Sequence, residues 1–305
     1  MSHTIFLGAG FSKWSCGLPI ASELFDFAIH ADNQSEATKI EKLRKIYLSW
    51  KEKHSKANNE QFISFAQESH PSKNLVNWYI VRRLTEPFVV VSSRRYTWYI
   101  NSSHAREHKG IIHARNFLDS ISTLDRPIIV TTNYDMVIEY ALGTRRFNYG
   151  HIGEQIGFTL YPYPKPLYVT GSLTILKLHG SISWDQTRKY PDLRHGLTGK
   201  CLIVPPMPEK TQPRLLKAQW HMASAALRTS STIIAFGFAF NEFDKAICRL
   251  VKRNSVTIKR AFIIDIVDHR ERISRLLPNS DLRFIDCAGI EFPSFVQNLT
   301  SNVSI

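Results

Sequence analysis

The stretch Thr4-Ile5-Phe6-Leu7-Gly8-Ala9-Gly10-Phe11-Ser12 decides the fold class of this sequence. Its first four residues predict a buried strand, and the glycines that follow predict a tight turn. A helix pattern resumes near Ile20-Ala21-Ser22-Glu23-Leu24. Strand, glycine turn and helix in this order are typical of the unit that opens a dinucleotide-binding fold. A turn that holds no ligand is the alternative, because glycine turns after strands are common.

Further apolar runs predict more strands of the same kind. Helix-like stretches lie between several of them, which favours an α/β fold: a Rossmann-like parallel sheet covered by helices on both faces. The predicted strands are Pro127 to Thr131, Thr174 to Leu178, Cys201 to Val204, Thr232 to Phe236, Arg260 to Asp265 and Leu282 to Ile285.

One region departs from this rhythm. Residues 36–124 are charged and helix-patterned, so we predict a helical insertion there, packed on a main domain formed by residues 1–35 and 125–305. The insertion is either a solvated helical layer with core aromatics or a surface for a partner or polyanion. Its aromatic residues include Trp50, Trp78, Tyr79, Tyr96, Trp98 and Tyr99. The proline-rich stretch 143–170 predicts a long loop or a small β-excursion.

Composition bounds the class of protein. The chain has 305 residues, of which 43% are hydrophobic and 21% charged, and this excludes collagen-like, low-complexity and disordered chains. The net charge of +13 predicts attraction to polyanions such as nucleic acid, an anionic membrane face or a phosphorylated small molecule. The four cysteines form no CxxC pair, which argues against a zinc knuckle. With no leader or membrane-spanning run in the pattern, we expect a cytoplasmic protein without membrane contact.

Polar residues follow two of the predicted strands. The segment Thr131-Thr132-Asn133-Tyr134-Asp135 ends one strand, where open α/β folds bind ligands. Asn133 and Asp135 are also suited to capping the helix expected near Met136. His179 and Gly180 follow the next strand. A histidine there can accept a proton near neutral pH, although a structural histidine is the alternative.

A fourth segment combines a strand end with a new helix start. Gly237 follows the strand that ends at Phe236 and permits close backbone approach, and Asn241 and Asp244 flank the predicted helix start.

Together the four segments resemble the sirtuin-like superfamily. Gly8 to Pro19 is similar to its Gly-Ala-Gly-x-Ser…Gly-x-Pro element, Thr131 to Asp135 to its Thr-x-Asn-x-Asp element, and His179 to its His-Gly. The fourth segment resembles the Gly-Phe/Tyr-Ser…Asp element of the bacterial branch, with Ala239 where serine is usual.

The resemblance implies NAD+ as the substrate, cleaved at the nicotinamide–ribose bond, and assigns the main domain as the NAD-binding catalytic domain. It places Asn133 and Asp135 at the nicotinamide ribose and carboxamide, with His179 as the general base. No metal is expected. The residues expected to bind NAD+ are Gly8, Ala9, Gly10, Ser12 and Pro19 in the first element, Gly237 and Asn241 in the fourth, and Asp265, with Cys287 or Ala288 at the adenine.

Departures from the deacylating sirtuins favour one branch. This chain lacks their paired CxxC motifs and the Phe-Arg that follows Gly-x-Pro. We therefore predict an NAD+ glycohydrolase of the bacterial antiviral-defence branch, which releases nicotinamide and ADP-ribose, and keep an NAD-dependent protein deacylase as the alternative. Such an enzyme needs control, so we expect a homo-oligomer or a partner such as a HerA-type ATPase or an Argonaute-like subunit, with nucleic acid as one candidate trigger.

Two other interpretations stay open. His104-Ala105-Arg106-Glu107-His108 reads H-x-x-E-H, a zinc-protease motif whose third ligand would have to come from elsewhere, for example His113 or Glu139; coincidence in a basic helical segment is the alternative. Basic-aromatic runs such as Arg94-Arg95-Tyr96-Thr97-Trp98 fit a nucleic-acid-binding module without catalysis.

Overall fold

The computed structural model describes residues 2–68, 70–90, 99–100, 108–143, 146–150, 157–158, 167–168, 171–185, 201–204, 214–241 and 244–291. The strands are β1 Ser2–Leu7, β2 Val89–Val90, β3 Tyr99–Ile100, β4 Pro127–Thr131, β5 Phe147–Asn148, β6 Gly157–Phe158, β7 Leu167–Tyr168, β8 Leu173–Lys177, β9 Gly180–Asp185, β10 Cys201–Ile203, β11 Ser230–Phe236, β12 Arg260–Asp265 and β13 Asp281–Asp286. The helices are α1 Ala9–Cys16, α2 Gln34–Lys53, α3 Asn59–Glu68, α4 His70–Thr85, α5 Lys109–Ser122, α6 Val137–Leu142, α7 Arg214–Thr229, α8 Lys245–Asn254 and α9 Arg270–Ser274.

The central feature is a sheet of seven strands in the order β13-β12-β11-β1-β4-β8-β5. Every neighbouring pair in it is parallel. In β1 the register places Leu7 opposite Thr131 on one side and Phe236 on the other. The predicted α/β fold with a parallel sheet is therefore confirmed.

Helices cover both faces of this sheet, because alternate residues of each buried strand point to opposite sides. Ile5 and Leu7 of β1 belong to the core beneath α1 and α5, whereas Phe6 packs in the core beneath α7 and α8. Near-continuous apolar runs are therefore buried on both sides, as parallel sheets require.

The helical region between β1 and β4 packs against the first of these cores. Trp50, Trp78 and Tyr79 are buried, which confirms the interpretation of these aromatics as core residues. The last helix, α5, lies directly on the sheet, with the Phe117 ring 5.1 Å from that of Phe236. The division of the chain at residues 36–124 stays a prediction. Tyr96, Trp98 and the run Arg94 to Trp98 lie outside the described residues.

Two expectations are wrong in detail. Cys201–Ile203 does not join the parallel sheet but pairs antiparallel with β9, since the chain turns back directly after β8. The segment near Ile20 forms only a short 3₁₀ turn at Ala21–Glu23, and the first helix begins earlier, at Ala9 inside the glycine turn. Within the described ranges, no helix is long and apolar enough to cross a membrane.

Candidate functional site

The candidate site lies at the carboxyl edge of the sheet, between β1 and β11. From β1 the chain proceeds to β4 on one side, and from β11 it proceeds to β12 on the other. Adjacent strands whose connections diverge leave a crevice at their carboxyl ends, and ligands of open α/β folds bind in such crevices. The four segments singled out in the sequence follow β1, β4, β8 and β11, so all of them reach this edge.

Glycines allow the turns after β1 and β11 to touch. The Gly8 N–H donates to the Phe236 carbonyl at 3.0 Å, and the Gly10 N–H donates to the Gly237 carbonyl at 3.2 Å. A Cβ added to Gly8 would lie 2.0 Å from the Gly237 oxygen. Gly237 itself has φ +58°, and a Cβ there would lie 2.3 Å from Phe11 N. These glycines are therefore required for turn-to-turn contact, and the two N–H groups are already used within the protein.

Asn133 joins the second segment to the first. Its amide nitrogen donates to the Gly8 carbonyl at 2.9 Å and to the Ser12 hydroxyl at 3.1 Å. Ser12 in turn hydrogen-bonds the Asp135 carboxylate. The interpretation of Asn133 as a helix cap is therefore wrong, whereas Asp135 does accept the Val137 N–H at the start of α6.

A buried ion pair between Lys177 and Glu139 contacts the backbone of Asp135. Lys177 Nζ lies 2.8 Å from Glu139 Oε1, and the two side chains are only 1% and 3% exposed. The same ammonium group donates to the Asp135 carbonyl, and Glu139 also accepts the Tyr149 hydroxyl at 2.9 Å. Burial raises the pKa of the Asp135 carboxyl, and the positive charge of Lys177 opposes that rise.

His179 lies beside this network, at the end of β8. It is 5% exposed, and burial lowers the pKa of its imidazole to about 4, so the ring is neutral at pH 7. The Trp220 indole donates to the carbonyl of Leu178, the residue before it, at 3.0 Å. Gly180 follows with φ +83°, and a Cβ there would lie 2.1 Å from the Leu202 carbonyl oxygen. The His-Gly pair is thus fixed by the β9–β10 ribbon.

A carboxyl group faces His179 across a short gap. Asp244 Oδ1 lies 3.9 Å from His179 Nε2, beyond hydrogen-bond distance, and has no hydrogen-bond partner among the described residues. Burial, together with the negative charge of Glu60 on α3, raises the pKa of Asp244 to about 7. The helical region therefore contributes a charge to the surroundings of His179.

The described geometry joins four sequence segments at one sheet edge. The family described as SIR2-like domain matches residues 127–285, which is more than half of the chain. The chain belongs to the SIR2-like domain family. The match includes Asn133, Asp135, His179 and Gly237 and begins after the Gly8 turn.

Solved structures similar to this SIR2-like chain share low sequence identity with it. A mutant Sir2 homologue in complex with ADP ribose is 14% identical over 100% of this chain and 94% of its own, with a TM-score of 0.47. Sir2Tm bound to a propionylated peptide is 13% identical over 100% and 94%, with a TM-score of 0.45. A Sir2 homologue with NAD is 14% identical over 99% and 89%, with a TM-score of 0.44. These values assign no activity to the chain. A comparison with curated proteins gives no match.

The remaining predicted binding residues of the SIR2-like chain lie around the same edge. Pro19 is half-buried after α1, and Asn241 is exposed after β11. Asp265 ends β12, where its Oδ1 accepts the Ile266 N–H at 2.7 Å. After β13, Cys287 is buried, and the adjacent Ala288 is exposed. Their roles toward NAD+ stay predictions.

Three features of the SIR2-like site were missing from the sequence prediction: the Lys177–Glu139 pair, the contribution of Glu60, and the contact of Trp220. A lysine inside the apolar run Ile175-Leu176-Lys177-Leu178 was the signal for the first, since a cation there must find a buried partner. Glu60 and Trp220 come from distant segments, and no local pattern predicts such contacts.

Two of the candidate zinc ligands proposed for the H-x-x-E-H motif have other partners in the structure. His104 and Glu107 lie outside the described residues, and His108 accepts the Gly110 N–H at the start of α5. Glu139 is wrong as a third ligand, because it pairs with Lys177 in the buried network. Across the part of the chain that the structure describes, no three His, Cys, Asp or Glu side chains are grouped to hold a metal.

Proposed function

We propose that this SIR2-like chain hydrolyses NAD+ at the nicotinamide–ribose bond and releases nicotinamide and ADP-ribose. The observation that carries the proposal is the Asn133 amide, which ties the turn after β4 to Gly8 and Ser12, with His179 at the end of the next strand. The sirtuin-like resemblance and membership of the SIR2-like domain family support NAD+ as the substrate.

The chemistry breaks one bond and forms another. The C1′–N bond breaks, and its electron pair neutralises the pyridinium as nicotinamide departs, leaving positive charge on the ribose. Water attacks C1′ and loses a proton. Asn133 and Asp135 supply polar groups near the ribose, which stabilise the cationic transition state because they are already fixed by Ser12 and Lys177.

His179 is assigned as the general base. Its imidazole is uncharged at neutral pH because burial lowers its pKa to about 4, so it can accept the proton of the attacking water. The nearby Asp244 carboxyl can stabilise the imidazolium that results, since Oδ1 faces Nε2 at 3.9 Å.

The test is nicotinamide release from NAD+ by the full chain. His179→Ala and Asn133→Ala should each reduce the rate by about 100-fold or more, the size expected for loss of a general base or a fixed dipole. His221→Ala and Asn116→Ala, at exposed helical positions, are matched controls and should retain the wild-type rate. Equal thermal unfolding temperatures of all four variants exclude loss of folding as the cause.

Two outcomes would overturn the proposal. If the His179→Ala variant released nicotinamide at the wild-type rate, His179 could not be the general base. NAD+ consumption only in the presence of an acetyl-lysine peptide, with transfer of the acetyl group to ADP-ribose, would instead favour the protein deacylase.

We further propose that the activity depletes NAD+ in antiviral defence and is gated by self-association or by a partner of the HerA or Argonaute-like type. The burial of His179 and the approach of Glu60 from the helical region support a site that must open. Nicotinamide release should rise on adding lysate of phage-infected cells and not with uninfected lysate. A fully active, monomeric purified chain whose rate neither lysate changes would refute gating.

A further inference from the structure

A groove lies between α7 and α8, on the sheet face opposite the helical region. It has a volume of about 460 Å³ and opens to solvent. Its walls are polar and cationic on one side and aromatic on the other. The lining residues are Trp220 and Ser224 from α7, and Ala246, Arg249, Leu250, Arg253 and Asn254 from α8.

Two of the four cations of α8, Arg249 and Arg253, line this groove. Spaced at 245, 249, 252 and 253, the exposed basic residues of α8 share one helix face, whereas Ile247, Leu250 and Val251 are buried on the other. The helix carries no acidic residue. Within the described ranges, Arg253 forms no ion pair. Positive charge is therefore concentrated where a ligand would enter.

A further arginine, Arg228, is held beside the groove by two of its lining residues. Arg228 donates to the Ser224 hydroxyl at 2.9 Å and to Asn254 Oδ1 at 3.2 Å. Ser224 also donates to Asn254 at 2.8 Å, so the uncharged polar groups of the wall bond mainly to one another. The guanidinium groups of Arg249 and Arg253 line the groove beside the Trp220 indole.

We propose that this groove binds a phosphate ester, from either a free nucleotide or a nucleic-acid backbone. Forked guanidinium donors match phosphate oxygens, and an aromatic wall contacts a base. The volume falls within the range of nucleotide-sized sites. An acidic peptide would meet the charges but would leave the indole without a planar partner.

The groove also contacts the candidate active site through Trp220. The same indole that lines the groove donates to the Leu178 carbonyl at 3.0 Å, and its ring lies 6.4 Å from the His179 ring. A ligand in the groove therefore touches the residue that holds the backbone beside His179. This second step, an effect of the ligand on NAD+ turnover, rests on the proposed function; binding does not.

The experiment measures fluorescence anisotropy of a labelled single-stranded DNA oligomer with the full chain, without NAD+. The double variant Arg249→Gln with Arg253→Gln should weaken binding by about tenfold and reduce its salt dependence. The control, Arg126→Gln with Arg275→Gln, removes two arginines that are 85% and 72% exposed elsewhere, and should change the affinity by less than about twofold.

The outcomes separate the two sources of phosphate and the two proposals. Displacement of the oligomer by AMP indicates a nucleotide site, and displacement only by unlabelled oligomer indicates backbone recognition; both support the groove. Equal losses in the two double variants, or no binding of oligomer and AMP, would overturn it. The His179→Ala variant should bind the oligomer and AMP with the wild-type affinities if they bind in the groove, whether or not the chain hydrolyses NAD+.

Discussion

The buried ion pair beneath Asp135 gives the sharpest stability prediction. Lys177→Met removes the cation and leaves the Glu139 carboxylate with the Tyr149 hydroxyl as its remaining donor among the residues that the structure describes. Because both charges are almost fully buried, the unpaired carboxylate should cost about 3–5 kcal/mol of unfolding free energy. A typical domain has about 5–15 kcal/mol in total, so the loss is a large fraction of it.

A second substitution, made in the Lys177→Met variant, separates the effect of charge from the effect of packing. Adding Glu139→Leu to Lys177→Met removes both charges, and this double variant should recover at least half of the loss because no buried charge stays unpaired. Lys217→Met, at an exposed position of α7, should change stability by less than about 0.5 kcal/mol.

Urea unfolding at pH 7, followed by circular dichroism, measures all three variants. A loss below about 1 kcal/mol for Lys177→Met would refute the reasoning, since the pair would then carry little of the stability. A double variant less stable than the single one would show that the shape of the two side chains, not their charge, is decisive.

Three more predictions concern the same sheet edge. Gly237→Ala should lower both the melting temperature and the candidate activity, because Gly237 has φ +58° and an added Cβ would lie 2.3 Å from Phe11 N in the first turn of α1. An unchanged melting temperature would contradict this. Asp244→Asn should be more stable than wild type, and the difference in unfolding free energy should grow from pH 5 to pH 8. The reason is that folded wild type must ionise a buried carboxyl of pKa about 7 near His179. A pH-independent difference would contradict this. Cys16 and Cys287, whose pKa burial raises to about 12, should react with Ellman's reagent at neutral pH only after unfolding.

The sequence was most informative where burial imposes a simple pattern. Apolar runs such as Pro127 to Thr131 and Arg260 to Asp265 predicted strands whose bounds the structure reproduces, because strands buried on both faces admit few polar residues. Residues directly after neighbouring parallel strands reach one edge of the sheet, which is why the sequence alone groups Asn133, His179 and Gly237.

Pairing partners were harder to predict. Cys201–Ile203 is a three-residue run, and nothing local distinguishes a parallel neighbour from an antiparallel one. The start of α1 was hard to predict because Gly8 and Gly10 flank it, and glycine disfavours helix. Both positions must be glycine because a side chain there would clash with Gly237. Side-chain partners such as Glu60 of Asp244 depend on how α3 packs, which is a property of the whole chain.

The Asn133 amide bonds residues more than a hundred positions away in the chain. Its hydrogen bonds to Gly8 and Ser12 form only after the long segment between the first and fourth strands has closed, an event that long loops delay. The candidate site should therefore assemble late during refolding, after helix content and collapse are complete. A nascent polypeptide emerging from the ribosome would therefore lack the assembled site until that closure.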